Sequence, residues 1–148
     1  MYKDFVAALN VGNADTILDI GVTSDETYAA SNYLEAQHPN KGMITATGID
    51  DGSHLERLYP GVRYVRDNGL CMQFVDRSFD FAHSSAVIEH VGNRANQARL
   101  IAECARVARR GFYITTPNRW FPIEVHTKLP LVHWLPALQS RASCAGLV

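Results

Sequence analysis

The sequence predicts an open α/β fold: a mostly parallel sheet with helices on both faces. Two observations carry that expectation. Short apolar runs bounded by Gly, Pro and Asn alternate along the chain with segments of helical period. Such alternation implies parallel pairing through right-handed crossovers. Polar residues gather at the carboxyl ends of the apolar runs or just past them, at Asp19, Asp50, Asp67 and His83, where an open parallel sheet presents its ligand-binding loops.

The elements follow in order. Phe5, Val6, Ala8 and Leu9 recur at helical spacing over 2–10, and Gly12-Asn13 ends that helix before a strand at 16–20. A helix over 26–36 places Tyr28, Ala29, Tyr33 and Leu34 on no more than one face, and His38-Pro39-Asn40-Lys41-Gly42 breaks it. The second strand is MITATGI, 43–49. A short helix at 53–58 and the turn Tyr59-Pro60-Gly61 lead to a third strand, VRYVR, at 62–66, and FDFAHS at 79–84 is the fourth. Leu100, Ile101, Cys104, Val107 and Ala108 form one stripe of a helix over 93–109, which Gly111 is expected to stop. The fifth strand, FYITT at 112–116, ends at Pro117. Residues 1–136 are expected to form the one domain, with 137–148 a loosely held tail.

Composition narrows the function. A chain of 148 residues is sized for one domain, and a domain of that length buries about 68–70% of its unfolded surface. With 47% hydrophobic and 20% charged residues and a net charge of −1, the chain lacks the polar bias of disorder and the basic excess of a nucleic-acid binder. Cys71, Cys104 and Cys144 show no ligand or disulfide spacing. No apolar stretch approaches the roughly 18 residues of a membrane span, and the N-terminal MYKDFVAALN is too short in apolar residues for a signal peptide. The expectation is a soluble, cytoplasmic protein without bound metal.

In the loops, an acid after the second strand suits the paired hydroxyls of a ribose, since one carboxylate can accept from both. Asp50 stands there, although Asp50-Asp51-Gly52-Ser53 also reads as a turn that caps the next helix. The order LDIG at 18–21, GID at 48–50, VDRSFDFAHSSAVIEHV at 75–91 and ECARVARRGFYITTPN at 103–118 resembles the class I S-adenosylmethionine-dependent methyltransferases, in the branch of small-molecule enzymes called type 11. The resemblance implies a Rossmann-like three-layer αβα domain, S-adenosylmethionine as cofactor, and methyl transfer to a small-molecule acceptor. The cofactor-binding residues it implies are Asp19, Gly21, Asp50, Asp67, Asn68, Ser84 and Ser85.

Several positions depart from the family pattern. Thr23 and Asp25 stand where the family's loop has its second and third glycines, and Thr23-Ser24-Asp25-Glu26 also fits a capping box. A cofactor without phosphates does not need backbone approach on several sides, so Gly21 alone can supply the turn. Asn68 takes the place of an aspartate expected at the adenine amino group and keeps an acceptor oxygen for it. Leu70, Cys71 and Met72 read either as the adenine's apolar wall or as ordinary core. Glu89 and His90, expected one turn into a helix, point about 100° apart and lack further ligand spacing, which favours a structural role over a metal.

The segment 119–136, rich in Pro, Trp and His, reads as a lid or substrate pocket, or as a loop covering the sheet edge. For an oxygen nucleophile, His126 is the candidate general base, with His90 and His133 in reserve. The family's sheet adds two strands after the fifth, for which the chain leaves no room. A sheet ending there predicts an exposed edge through which two copies pair. The altered loop and the shortened sheet also suit a ligand-binding module without turnover. A nicotinamide-dependent enzyme shares the layout but lacks G-x-G-x-x-G after the first strand.

Overall fold

The computed structural model describes residues 1–24 and 31–116. Its centre is β1 (Ile17–Ile20), buried at every position, as a strand covered on both faces must be. On one side β1 pairs with β2 (Ile44–Gly48), which pairs with β3 (Arg63–Arg66). On the other it pairs with β4 (Phe79–Ser85), which carries β5 (Ala108–Thr115) on its far side. All pairs are parallel, in the order β3-β2-β1-β4-β5. The chain grows outward one way from β1 and then returns to build the other way from β4. That reversal makes the carboxyl ends of β1 and β4 the place where such sheets bind ligands.

Helix α1 (Tyr2–Leu9) precedes β1, α2 (Tyr33–Gln37) lies between β1 and β2, α3 (Leu55–Leu58) between β2 and β3, and α4 (Arg94–Val107) between β4 and β5. Side chains of a strand alternate between faces, and the two cores sort accordingly. Ile17 and Phe81 meet Phe5 of α1 and Tyr33 and Leu34 of α2 on one face. Leu18, Ile20 and Ala82 meet Leu100, Cys104 and Val107 of α4 on the other. The same alternation turns Asp19 and His83, paired across β1 and β4, toward α1 and α2. It turns Ser84 toward α4. The fully buried Phe5 closes the first core, with its ring 5.0 Å from that of His83 and 5.7 Å from that of Tyr113. Emptying such a site costs about 3–5 kcal/mol.

The open, parallel α/β architecture matches the expectation, with three local corrections. Glu89 and His90 lie in a turn, because Gly92 takes a positive φ of 91° and Asn93 caps α4, its side chain accepting from the Asn96 N–H. Gly111 does not stop α4: the helix ends at Val107 and β5 begins at once at Ala108. Arg109 and Arg110 are drawn into the strand by distant partners. Arg109 pairs with Asp80 at 3.1 Å, and Arg110 with Asp15 at 2.6 Å while its guanidinium lies over the Phe81 ring. The third correction is at Ser31 and Asn32, which form a turn ahead of α2 instead of continuing a helix. The expected helix start at 26–30, the segment 119–136 with His126 and His133, and the tail 137–148 lie outside the described residues. Among the described residues, no helix is long and apolar enough to cross a membrane.

Candidate functional site

At the carboxyl ends of β1, β2, β3 and β4 lies a cleft of about 740 Å³, within the roughly 300–1,000 Å³ of small-molecule sites. Its floor is set by the turn after β1. Gly21 has φ +89°, and a Cβ there would stand 2.2 Å from Val87 Cγ2, so the position requires glycine on two counts. The N–H groups of Gly21 and Val22 both donate to the Thr47 carbonyl, at 2.7 and 3.2 Å. Gly48 allows that approach, since a Cβ on it would reach the Val22 carbonyl at 2.9 Å.

Behind this turn the α1/α2 face carries a buried polar chain. Asp19 Oδ1 is 2.7 Å from His83 Nδ1, and His83 Nε2 is 2.7 Å from the Tyr33 hydroxyl. His83 is held against the Tyr113 ring, nearly parallel to it at 6.2 Å. Burial pushes the Tyr33 phenol up to about 12, so it stays protonated at neutral pH. Glu35, fully buried beside this group, has both carboxylate oxygens without a hydrogen-bond partner among the described residues. Burial first, and the charge of Asp19 second, raise its pKa well above the ordinary glutamate range. An Asp–His–Tyr chain of this kind fixes the orientation of the imidazole and satisfies three buried polar groups at once. Asp19, Tyr33 and His83 all line the cleft.

The β3 loop forms the other end. Asp67 is buried and spends its carboxylate on its own loop, accepting from the N–H groups of Asn68 and Gln73 at 2.8 Å each. Asn68 Oδ1 accepts from the Leu70 N–H at 3.0 Å. Leu70 then packs with Ile20 and Leu100 into an apolar wall. Glu103 and Arg106 of α4 brace the segment beyond. Glu103 accepts from the Met72 N–H, and Arg106 donates to the Met72 and Phe74 carbonyls. The Arg106 hydrogen bond is the main cause holding the Glu103 carboxyl below its usual range.

The sequence-predicted residues are thus placed unequally. Asp19, Gly21, Asp67, Asn68 and Ser85 line the cleft together. Asp50 is exposed and follows the cleft-lining Ile49, its own carbonyl accepting from the Tyr64 hydroxyl. Ser84 is buried on the α4 face and donates to the Ile20 carbonyl at 3.1 Å, away from the cleft. Ser85 instead accepts from the Thr115 hydroxyl at 2.9 Å. His90 lines the cleft, while Glu89 accepts from the Thr116 hydroxyl at 3.2 Å. No group of three or more His, Cys, Asp or Glu able to hold a metal occurs among the described residues. Sequence reasoning did not assign Tyr33, Glu35 or Asn32 to the site. The signal for Glu35 was an acid adjoining the core residue Leu34 in a short helix, and His83 shares strand parity with Phe81.

Residues 18–115 match the sequence model of a family described as a methyltransferase domain. Among solved structures, a S-adenosylmethionine-dependent methyltransferase from Methanosarcina mazei is 29% identical, with a TM-score of 0.53 over 74% of this chain and 55% of its own. A TehB-like S-adenosylmethionine-dependent methyltransferase from Corynebacterium glutamicum is 17% identical, with a TM-score of 0.56 over 76% of this chain and 60% of that one. A S-adenosylmethionine-dependent methyltransferase from Aquifex aeolicus is 16% identical, with a TM-score of 0.55 over 76% and 61%. The last two show likeness of fold alone. This chain spans about half the length of the structures it resembles, from 43% to 61%. No curated protein sequence matches it.

Proposed function

The chain belongs to the family of methyltransferase domains, and from that premise we infer that its cleft binds S-adenosylmethionine and that the protein methylates a small-molecule acceptor. The observation that carries this reading is the order of surfaces along the cleft. A polar amide and an apolar wall follow β3 at Asn68 and Leu70 and a tight turn at Gly21 lies over β1, all lining the cleft, while the exposed acid Asp50 stands at its rim, next to the lining residue Ile49 of the β2 end. That order suits a nucleoside joined to a small amino-acid tail. The residues present fit the cofactor: a pyrophosphate would need a glycine-rich cradle, and Val22 and Thr23 stand where one would run.

When bound, the cofactor supplies an electrophilic methyl group on a sulfonium. Asp50 would accept from the ribose hydroxyls, Asn68 would meet the adenine edge, and Leu70 with Ile20 would supply the apolar surface for the ring. Asp67 holds the loop that carries Asn68. Gly21 and Ser85 would border the methionyl half. Methyl transfer needs alignment and exclusion of water more than a covalent residue. For an oxygen acceptor, His126 in the segment 119–136 is the general base of this reading. Residues 1–136 act as the catalytic domain.

Calorimetric titration with S-adenosylhomocysteine tests the reading. One site is expected, weakened at least tenfold by Asp50→Ala, with no comparable heat from NAD. Absence of binding by the wild-type protein ends the reading. Turnover with a candidate acceptor then separates an enzyme from a binding module.

A further inference from the structure

The turn after β1 carries Val22 and Thr23 on the cleft side, and the backbone there is held by a side chain. The Thr23 N–H donates to Asn32 Oδ1 at 3.1 Å, and Asn32 Nδ2 donates to the Thr23 carbonyl at 2.9 Å. One planar amide thus pairs with both backbone groups of a single residue, as a neighbouring strand would. Only Asn or Gln offers an acceptor and a donor side by side in this way. Asn32 also stands in the left-handed region, φ 52° and ψ 39°, which Asn tolerates better than most residues. It occupies the N-cap of α2 yet makes no side-chain cap bond, although capping is the usual use of Asn there.

Just upstream, the Thr47 carbonyl fixes the N–H groups of Gly21 and Val22. The backbone from Gly21 to Thr23 is therefore pinned from β2 at one end and from Asn32 at the other. Thr23, Asn32 and Tyr33 all line the cleft.

We propose that Asn32 is a positioning residue whose amide, clasped on Thr23, pre-forms the turn that receives the methionyl half of the cofactor. The inference rests on the cofactor reading above. Fixing a turn before the ligand arrives removes an ordering cost from binding. The clasp lies over β1, whereas the adenosyl half is assigned to the loops of β2 and β3, so its effect falls on one half of the ligand.

Two probes separate the halves: S-adenosylhomocysteine, and 5′-methylthioadenosine, which keeps the nucleoside and thioether but has no amino-acid tail. By calorimetry, Asn32→Ala weakens S-adenosylhomocysteine by roughly tenfold or more, equal to about 1.4 kcal/mol, and 5′-methylthioadenosine by less than about twofold. Asn32→Asp, which can accept from the Thr23 N–H but cannot donate to its carbonyl, falls between. It carries the comparison if the alanine variant does not fold. In the ligand-free wild-type protein the Thr23 amide is protected from hydrogen exchange, and Asn32→Ala exposes it. Equal weakening of both probes, no weakening of either, or an unprotected Thr23 amide overturns the proposal. A wild-type protein that binds neither probe overturns the cofactor reading and the clasp with it, whereas wild-type binding with unaltered variants overturns the clasp alone.

Discussion

Replacing Gly21 by alanine separates two costs that the turn after β1 imposes. The first is backbone strain: at φ +89° an L side chain is held in a region it rarely adopts, at about 1–2 kcal/mol. The second is overlap, because the new Cβ would lie 2.2 Å from Val87 Cγ2, and overpacking of that kind costs about 1–3 kcal/mol. Together they destabilise by about 2–5 kcal/mol, which at roughly 3 °C per kcal/mol for a chain of this size lowers Tm by about 6–15 °C. Combining Gly21→Ala with Val87→Ala removes the overlap and leaves the strain. The double variant is expected to recover about 1–3 kcal/mol relative to the sum of the two single changes. Urea unfolding of all four proteins gives the cycle. A Gly21→Ala protein as stable as wild type, or a cycle with no coupling, refutes the assignment of Gly21 as a conformationally required hinge packed on Val87.

Other consequences follow from the polar chain beneath that turn. Glu35 has a raised pKa in the folded state. Below the ordinary glutamate pKa both states hold the proton; above it the unfolded chain loses the proton and the folded one keeps it. Stability therefore falls as pH rises above the ordinary glutamate pKa. Glu35→Gln removes the contribution, so denaturation midpoints of variant and wild type are expected to diverge in the variant's favour as pH rises above the ordinary glutamate range. Parallel curves would contradict the burial argument. Tyr33→Phe takes the hydroxyl from His83 Nε2 in a buried setting, with an expected loss of about 1–3 kcal/mol. A loss below about 0.5 kcal/mol would show that the hydrogen bond contributes little.

The strands were legible because most are short runs of β-branched and aromatic residues, and β1 to β4 fall within a residue or two of the expected bounds. The start of β5 was not. Nothing between Val107 and Ala108 breaks a helix, and Arg109 and Arg110 read as an ordinary charged helix end. Their partners, Asp80 and Asp15, are distant in sequence, so the switch from helix to strand is a tertiary effect. The site divides in the same way. Loop positions follow from topology, which is why Gly21, Asp67, Asn68 and Ser85 fall on one cleft. Ser84 does not, because it lies one residue inside β4 from Ser85 and is fully buried with its hydroxyl on the Ile20 carbonyl. Tyr33 and Asn32 act through contacts with His83 and Thr23 that cross the sheet or the turn, and no local pattern announces them.

The central claim is that an adenosyl ligand occupies the cleft spanning the loops of β1, β3 and β4. Backbone amide NMR with S-adenosylhomocysteine tests it most directly. Saturable shifts are expected at Gly21, Thr23, Asn68, Gly69 and Ser85, with little change at Asn13, Lys41 and Gly61 on the opposite end of the sheet. Shifts absent at saturating ligand, or concentrated at that opposite end, would contradict it.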